Sequence, residues 1–81
     1  MNKLSIMGVL ISEREQIAPK VQEVFTKYGE HIITRFGTHD PSEIQNGLIT
    51  LHIMSTEEEL RKFSNELEVL DGVTVKSIIM K

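Results

Sequence analysis

The sequence contains no cysteine, no hydrophobic stretch long enough to cross a bilayer and no cluster of basic residues. Without cysteine, disulfides, thiolate–metal sites and a thiol nucleophile are excluded. The apolar run over residues 4–11 is short, and it is followed by acidic residues rather than by the small-residue cleavage site of a signal peptide. We therefore expect a cytoplasmic protein with no membrane segment.

Charged residues are spread along the chain, with nine Lys and Arg against twelve Asp and Glu and a net charge of −3. A nucleic-acid interface needs clustered positive charge, so no direct nucleic-acid binding is expected. The length of 81 residues predicts one domain, residues 1–81. A domain of this size buries only roughly 60–65% of its unfolded-chain surface, and association buries more. We expect a homodimer or a higher homo-oligomer.

Two stretches, residues 4–11 and 47–54, are apolar on both faces and are therefore predicted to be central strands of a sheet. Residues 31–37 and 73–80 are also predicted to be strands, and they are placed at the sheet edges. Between them, residues 38–46 are rich in polar side chains and contain Asp40-Pro41-Ser42. This composition predicts the longest loop of the chain, and long loops often carry function.

The first helix is predicted from a capping-box pattern, Ser12 followed three residues later by Glu15. Proline inside a helix costs roughly 3 kcal/mol, so Pro19 places the regular start near Ala18. Gly29 is expected to end the helix in the left-handed conformation. The predicted buried stripe consists of Ile17, Val21, Val24, Phe25 and Tyr28.

The second helix is predicted to be capped by Ser55 or Thr56, with acidic residues 57–59 at its positive end. Gly72 is expected to close it. Its predicted buried stripe consists of Leu60, Phe63, Leu67 and Leu70.

The two halves of the chain match at an offset of 43 residues without a gap, so that Ser12 aligns with Ser55 and Gly29 with Gly72. Each half predicts strand–helix–strand, which gives βαββαβ. The expected fold is therefore α+β and ferredoxin-like, a four-stranded antiparallel sheet with both helices on one face. The uncovered face is partly apolar, which is more typical of an interface than of bare solvent surface.

Residues 21–25, Tyr28-Gly29, 32–37, 46–49 and 67–76 together resemble the iron-only hydrogenase system regulators. These small ACT-like proteins are similar in fold to ACT regulatory domains and to the C-terminal domain of the nickel-responsive repressor. The resemblance implies an oligomeric regulator that binds a small ligand, and a transcriptional link to iron-only hydrogenase without a DNA-binding segment of its own. The chain departs from the family at His39, which stands where a proline usually follows the Arg-x-Gly of Arg35 and Gly37. It also lacks the repressor's His-x-His pair and cysteine, which argues against nickel binding by that mode.

The candidate ligand contacts are Arg35, Gly37, His39 and Asp40. Arg35 offers a planar guanidinium for a carboxylate or phosphate, and its commoner role is a cross-strand ion pair. His39 and Asp40 lie in the predicted loop, whose alternative is an ordinary polar loop, and Gly37 also suits a bend or bulge. The three histidines lack the spacing of metal ligands, so no metal site and no cofactor are expected.

No nucleophile–base pair and no paired carboxylates are apparent, so the chain is not expected to be an enzyme. RNA recognition on this fold needs aromatic side chains on the central strands, and those strands have none. The leading hypothesis is a regulatory domain that binds a small ligand. The alternative is a non-catalytic protein–protein interaction subunit with no metabolite ligand.

Overall fold

The structure is a computed structural model that describes residues 1–81 except for the side chain of Arg14. The elements in chain order are β1 (Lys3–Ile11), α1 (Arg14–Lys27), a 3₁₀ turn (Gly29–His31), β2 (Ile32–Asp40), β3 (Glu43–Ser55), α2 (Glu57–Glu68) and β4 (Val73–Ile79). The strands form one sheet in the order β2-β3-β1-β4, and every neighbouring pair is antiparallel. This is the ferredoxin-like βαββαβ fold that the sequence predicts.

The odd-numbered residues of the two central strands face the helices and form the base of the core. Met7, Val9, Leu51 and Ile53 are completely buried, and β1 and β3 pair along their whole common length. Both helices pack against this single face through Val21, Phe25, Leu60, Phe63 and Leu67. The even-numbered residues of the same strands therefore lie on a face that no helix covers.

An aromatic cluster joins the two helices across the core. The Phe25 and Phe63 rings meet edge to face with centroids 6.0 Å apart, and Tyr28 stacks on Phe63 at 4.7 Å. Both geometries are favourable for aromatic pairs and add to the burial of their apolar area. The cluster fixes the distance between α1 and α2.

The first helix begins earlier than the sequence predicts. Ser12 does not cap it, because the Ser12 backbone N–H donates to the Gly72 carbonyl at 2.8 Å and extends the β1–β4 ladder. The chain turns instead at Glu13, which occupies the N-cap position with φ 51° and makes no side-chain cap hydrogen bond. The helix is then continuous from Arg14 through Pro19, so the predicted start near Ala18 is wrong.

The predicted left-handed cap at Gly29 is also wrong. The helix ends at Lys27, and the chain continues through the 3₁₀ turn, in which the His31 N–H donates to the Tyr28 carbonyl at 3.0 Å. This turn closes without a positive φ, so it does not need the freedom of glycine. Gly72, at φ 80°, is the glycine that adopts the left-handed conformation.

Of the two predicted caps of the second helix, Thr56 is the one that caps it, and it forms a capping box with Glu59. The Glu59 N–H donates to Thr56 Oγ1 at 3.1 Å, and the Thr56 N–H donates to Glu59 Oε1 at 2.9 Å. Ser55 is the last residue of β3 and is buried.

Residues 38–46 form a β-hairpin and not the predicted long loop. β2 continues to Asp40, β3 begins at Glu43, and only two residues connect them. β1 pairs with β3 only from Gly47 to Ser55. Before Gly47, β3 has β2 as its single neighbour, so the hairpin tip is a two-stranded ribbon. Both sides of such a ribbon face water, which explains why strand residues here are as polar as a loop. Within the described part of the chain, neither helix has the length and hydrophobicity that crossing a membrane requires.

Candidate functional site

The four predicted site residues all lie on β2. They fall into three places: a groove beside α1, a contact with α1 outside that groove, and the turn of the β2–β3 hairpin. Arg35, Gly37 and His39 pair with Leu51, Ile49 and Gly47 of β3, so they belong to the helix-facing side of the strand. Asp40 ends the strand at the hairpin turn.

A groove runs between α1 and the β2–β3 hairpin, and we refer to it as the hairpin groove. Its volume is about 410 Å³, and its lining residues are Ile11, Ala18, Gly37, Thr38, His39, Gly47 and Ile49. The walls are aliphatic, and His39, on the helix-facing side of β2, supplies a polar side chain. This combination suits a small molecule with an apolar body and one hydrogen-bonding group.

Gly37 keeps the hairpin groove open. A Cβ atom built on Gly37 would lie 3.8 Å from Ile49 Cγ1, which is an ordinary van der Waals distance, and the residue has no positive φ. A side chain at this position is therefore sterically permitted, and it would fill the groove beside Ile49. The backbone conformation does not require glycine here, and the absence of a side chain leaves the space beside Ile49 open.

Arg35 points toward α1, outside the lining of the hairpin groove. Its Nη2 donates to Gln22 Oε1 at 2.7 Å, and its guanidinium lies over the Phe25 ring, 5.4 Å from the centroid. Four residues along a strand span roughly 13 Å, which separates Arg35 from His39. The guanidinium thus has partners within the chain that hold β2 against α1.

Asp40 shapes the hairpin turn. Its Oδ1 accepts from the Ser42 N–H at 2.8 Å and from Ser42 Oγ at 2.6 Å. These hydrogen bonds hold the pKa of the Asp40 carboxyl below its ordinary value. The carboxylate therefore serves the turn that brings Gly37 and His39 to their places.

A second depression adjoins the hairpin turn and contains residues that the sequence did not indicate. It has a volume of about 450 Å³ and is lined by Glu13, Glu15, Gln16, Ile44 and Gln45. The feature of the sequence that could have indicated this depression is Ile44, an isolated aliphatic residue in a polar segment. The sequence did not indicate the walls of the hairpin groove, because Ile11 and Ile49 lie in stretches that are predicted only as central strands.

The remaining charged contacts are structural. Glu66 accepts hydrogen bonds from the Tyr28 hydroxyl and from Lys27 Nζ, the latter at 2.9 Å. The Tyr28 hydroxyl, followed by Lys27, lowers the pKa of Glu66, while the same hydrogen bond, with burial, raises the pKa of Tyr28 to about 12. His31 Nε2 lies 3.2 Å from Glu59 Oε2. Among the described residues, no group of three or more His, Asp or Glu side chains has a geometry that could hold a metal ion.

The sheet surface opposite the helices, here called the open face, is largely apolar. The pairing of the strands places Phe36 beside Thr50 and His52 beside Ile6 on this surface, and Phe36 and Ile78 are 68% and 64% exposed. Its apolar members are Leu4, Ile6, Leu10, Phe36, Leu48, Met54, Ile78 and Met80. Lys76 is the single Lys or Arg among the alternate positions that form this face.

Comparison with solved structures agrees with the fold. Protein TM1266 from Thermotoga maritima superposes with a TM-score of 0.91 at 23% identity, covering 100% of both chains. The ACT domain of GTP pyrophosphokinase from Chlorobium tepidum gives a TM-score of 0.79 at 16% identity over 96% of this chain and 100% of that one. A formyltetrahydrofolate deformylase from Pseudomonas putida KT2440 gives 0.62 at 10% identity, over 91% of this chain and 28% of that one. No curated protein sequence matches the chain.

The family comparison covers nearly the whole chain. The TM1266-like family model, described as a proposed iron-only hydrogenase system regulator, matches residues 3–77. This range includes all four strands in whole or in part and both helices. The chain belongs to the TM1266-like family.

Proposed function

We propose that the chain is a non-catalytic regulatory domain that binds a small-molecule effector in the hairpin groove and works in the cytoplasm as a homo-oligomer. The observation that carries this proposal is the groove itself, an aliphatic cleft kept open by Gly37 with His39 at its edge. The regulatory description of the family supports it, as does the similarity to the ACT domain fold. A connection to the iron-only hydrogenase system follows from the family alone.

The four candidate residues have two kinds of role in this proposal. Gly37 and His39 contact the effector, because both line the hairpin groove. Arg35 and Asp40 position the strand that carries them, through Gln22 on α1 and through the hairpin turn. The effector has an apolar part of a few atoms and a group that hydrogen-bonds to an imidazole.

Thermal unfolding with a panel of amino acids, nucleotides and divalent metal salts tests the proposal. A ligand that binds only the folded state adds about 2.7 kcal/mol at a hundred times its dissociation constant. For a domain of this size, each kcal/mol raises the melting temperature by about 4–8 °C. We expect an organic compound to produce such a shift and zinc or nickel to produce none.

Two glycine variants locate the binding site. Gly37→Val fills the hairpin groove and should abolish the shift, and His39→Ala should reduce it. Gly8→Val is the matched control, because Gly8 is also a strand glycine but lies on the open face, where an added Cβ would have no atom within 4 Å. A shift of equal size in Gly37→Val and in the wild type would refute the groove as the effector site.

A specific observation favours the alternative, a protein–protein interaction subunit without a metabolite. The open face exposes several large apolar side chains, among them Phe36, Ile78 and Met80, and exposed apolar surfaces mark interaction sites. This alternative predicts that no compound of the panel changes the melting temperature. It also predicts that Phe36→Lys, on the open face, weakens binding to the protein partner, while Gly37→Val leaves that binding unchanged.

A further inference from the structure

We propose that a groove between α2 and β4, here called the α2–β4 groove, binds a small aliphatic carboxylate through Arg61. This is a second site, which goes beyond the effector site proposed above and shares no lining residue with the hairpin groove. The α2–β4 groove has a volume of about 280 Å³ and is lined by Glu57, Leu60, Arg61, Ser64, Asn65, Ser77 and Ile79.

Helical spacing brings the polar wall of the α2–β4 groove together. Arg61, Ser64 and Asn65 lie three and four residues apart on α2, and residues with this spacing share one face of a helix. Their face meets the helix-facing side of β4, to which Ser77 belongs because it pairs with Met7 of the core. Four side chains that can donate hydrogen bonds therefore line one groove.

The positive charge of Arg61 is not used by an ion pair within the chain. Glu57 precedes Arg61 by four residues, a spacing at which the two side chains could pair. The Glu57 carboxylate is directed elsewhere, because its Oε1 lies 4.0 Å from Lys3 Nζ. None of the ion pairs among the described side chains includes Arg61. The guanidinium is therefore available to an anion from outside.

Two neutral donors in the α2–β4 groove are also available. Ser64 Oγ donates to Glu68 Oε1 at 3.1 Å, so that hydroxyl already has an acceptor. The side chains of Asn65 and Ser77 have no hydrogen-bond partner in the part of the chain that the structure describes. The Asn65 amide and the Ser77 hydroxyl can therefore donate to the same anion as Arg61.

The chemistry of the lining specifies the class of ligand. A guanidinium presents a planar fork of N–H groups that fits the two oxygens of a carboxylate. The described lining contains one basic and one acidic side chain, Arg61 and Glu57, which favours a single negative charge over a phosphate dianion. The buried Leu60 and the 41% exposed Ile79 supply an apolar wall. A carboxylate on a short aliphatic chain matches both parts of the groove.

An NMR titration of the backbone amides with isovalerate, a carboxylate on a branched aliphatic chain, tests the proposal. The amide signals of Asn65 and Ser77 should shift in a saturable way. Isovalerate should bind more tightly than acetate, since each buried methylene adds about fourfold in affinity. Isoamylamine has a similar aliphatic chain with a positive charge, and it should not shift these signals. Absence of a shift with isovalerate, equal binding of isoamylamine, or tighter binding of inorganic phosphate would overturn the proposal.

Arg61→Gln locates the site, and Lys62→Gln is its matched control. Both variants remove one positive charge from adjacent positions of α2, but only Arg61 lines the α2–β4 groove. Arg61→Gln should weaken isovalerate binding by about fivefold, the effect of losing an exposed ion pair, and Lys62→Gln should leave it nearly unchanged. Glu57→Gln should strengthen binding, because it removes the acidic side chain from the lining. Equal weakening in Arg61→Gln and Lys62→Gln would show unspecific attraction and overturn the site.

Discussion

Replacement of Pro19 by alanine tests the observed course of the first helix. The helix begins at Arg14, so Pro19 lies in its second turn. A proline there cannot donate to the carbonyl four residues earlier, that of Glu15, and its ring crowds the same carbonyl. Alanine restores the donor and removes the crowding. The expected result is therefore a more stable protein.

The magnitude follows from two opposing effects. Proline in a helix interior is about 3 kcal/mol less favourable than alanine. Alanine also gives the unfolded chain more conformational freedom than proline does, which lowers the free energy of unfolding by about 0.4–1 kcal/mol. Partial relaxation around Pro19 reduces the gain further, so we expect Pro19→Ala to raise the free energy of unfolding by about 1–2 kcal/mol. The melting temperature should rise by at least about 4 °C.

Urea unfolding at a fixed protein concentration measures this change, because association makes apparent stability depend on concentration. Pro41→Ala is the matched control, since Pro41 lies in the two-residue hairpin turn, where a fixed φ is favourable. That control should lose about 0.4–1 kcal/mol. A Pro19→Ala variant that is less stable than the wild type would show that Pro19 sits in a first turn, with the helix beginning near Ala18.

Four further predictions concern the helix cap at Thr56, the turn at Gly72 and the pH dependence of stability. Thr56→Ala should cost about 1 kcal/mol of unfolding free energy and Ser12→Ala almost nothing, because only Thr56 caps a helix; equal losses would contradict this. Gly72→Ala should cost about 1–2 kcal/mol, since Gly72 has a φ of 80° and its Cβ would lie 3.3 Å from Ser12 Cβ; unchanged stability would contradict the left-handed turn. The lowered pKa of Glu66 gives stability that is complete above its ordinary value of 4.5 and is lost as the pH falls through the lowered value, so Glu66→Gln should flatten that acid limb in urea unfolding. The raised pKa of Tyr28 acts in the opposite direction, giving stability that is present below pH 10 and lost as the pH rises toward about 12, and Tyr28→Phe should remove that loss.

Patterns that depend on neighbouring residues predicted most of the fold. Continuous apolar character identified β1 and β3 as the central strands, and Ser55 or Thr56 followed by three acidic residues marked the start of α2. The capping-box pattern of Ser12 and Glu15 failed, because the Ser12 N–H donates to the carbonyl of Gly72, sixty residues away, directly after β1 ends. A local motif cannot report a long-range partner of this kind.

The candidate site was harder to predict for the same reason. Polar composition suggested a loop over residues 38–46, whereas a two-stranded ribbon exposed on both sides is equally polar. The candidates Gly37 and His39 do line a groove together, but its aliphatic walls come from β1, α1 and β3. Their assembly depends on the register of three strands, which no single segment specifies.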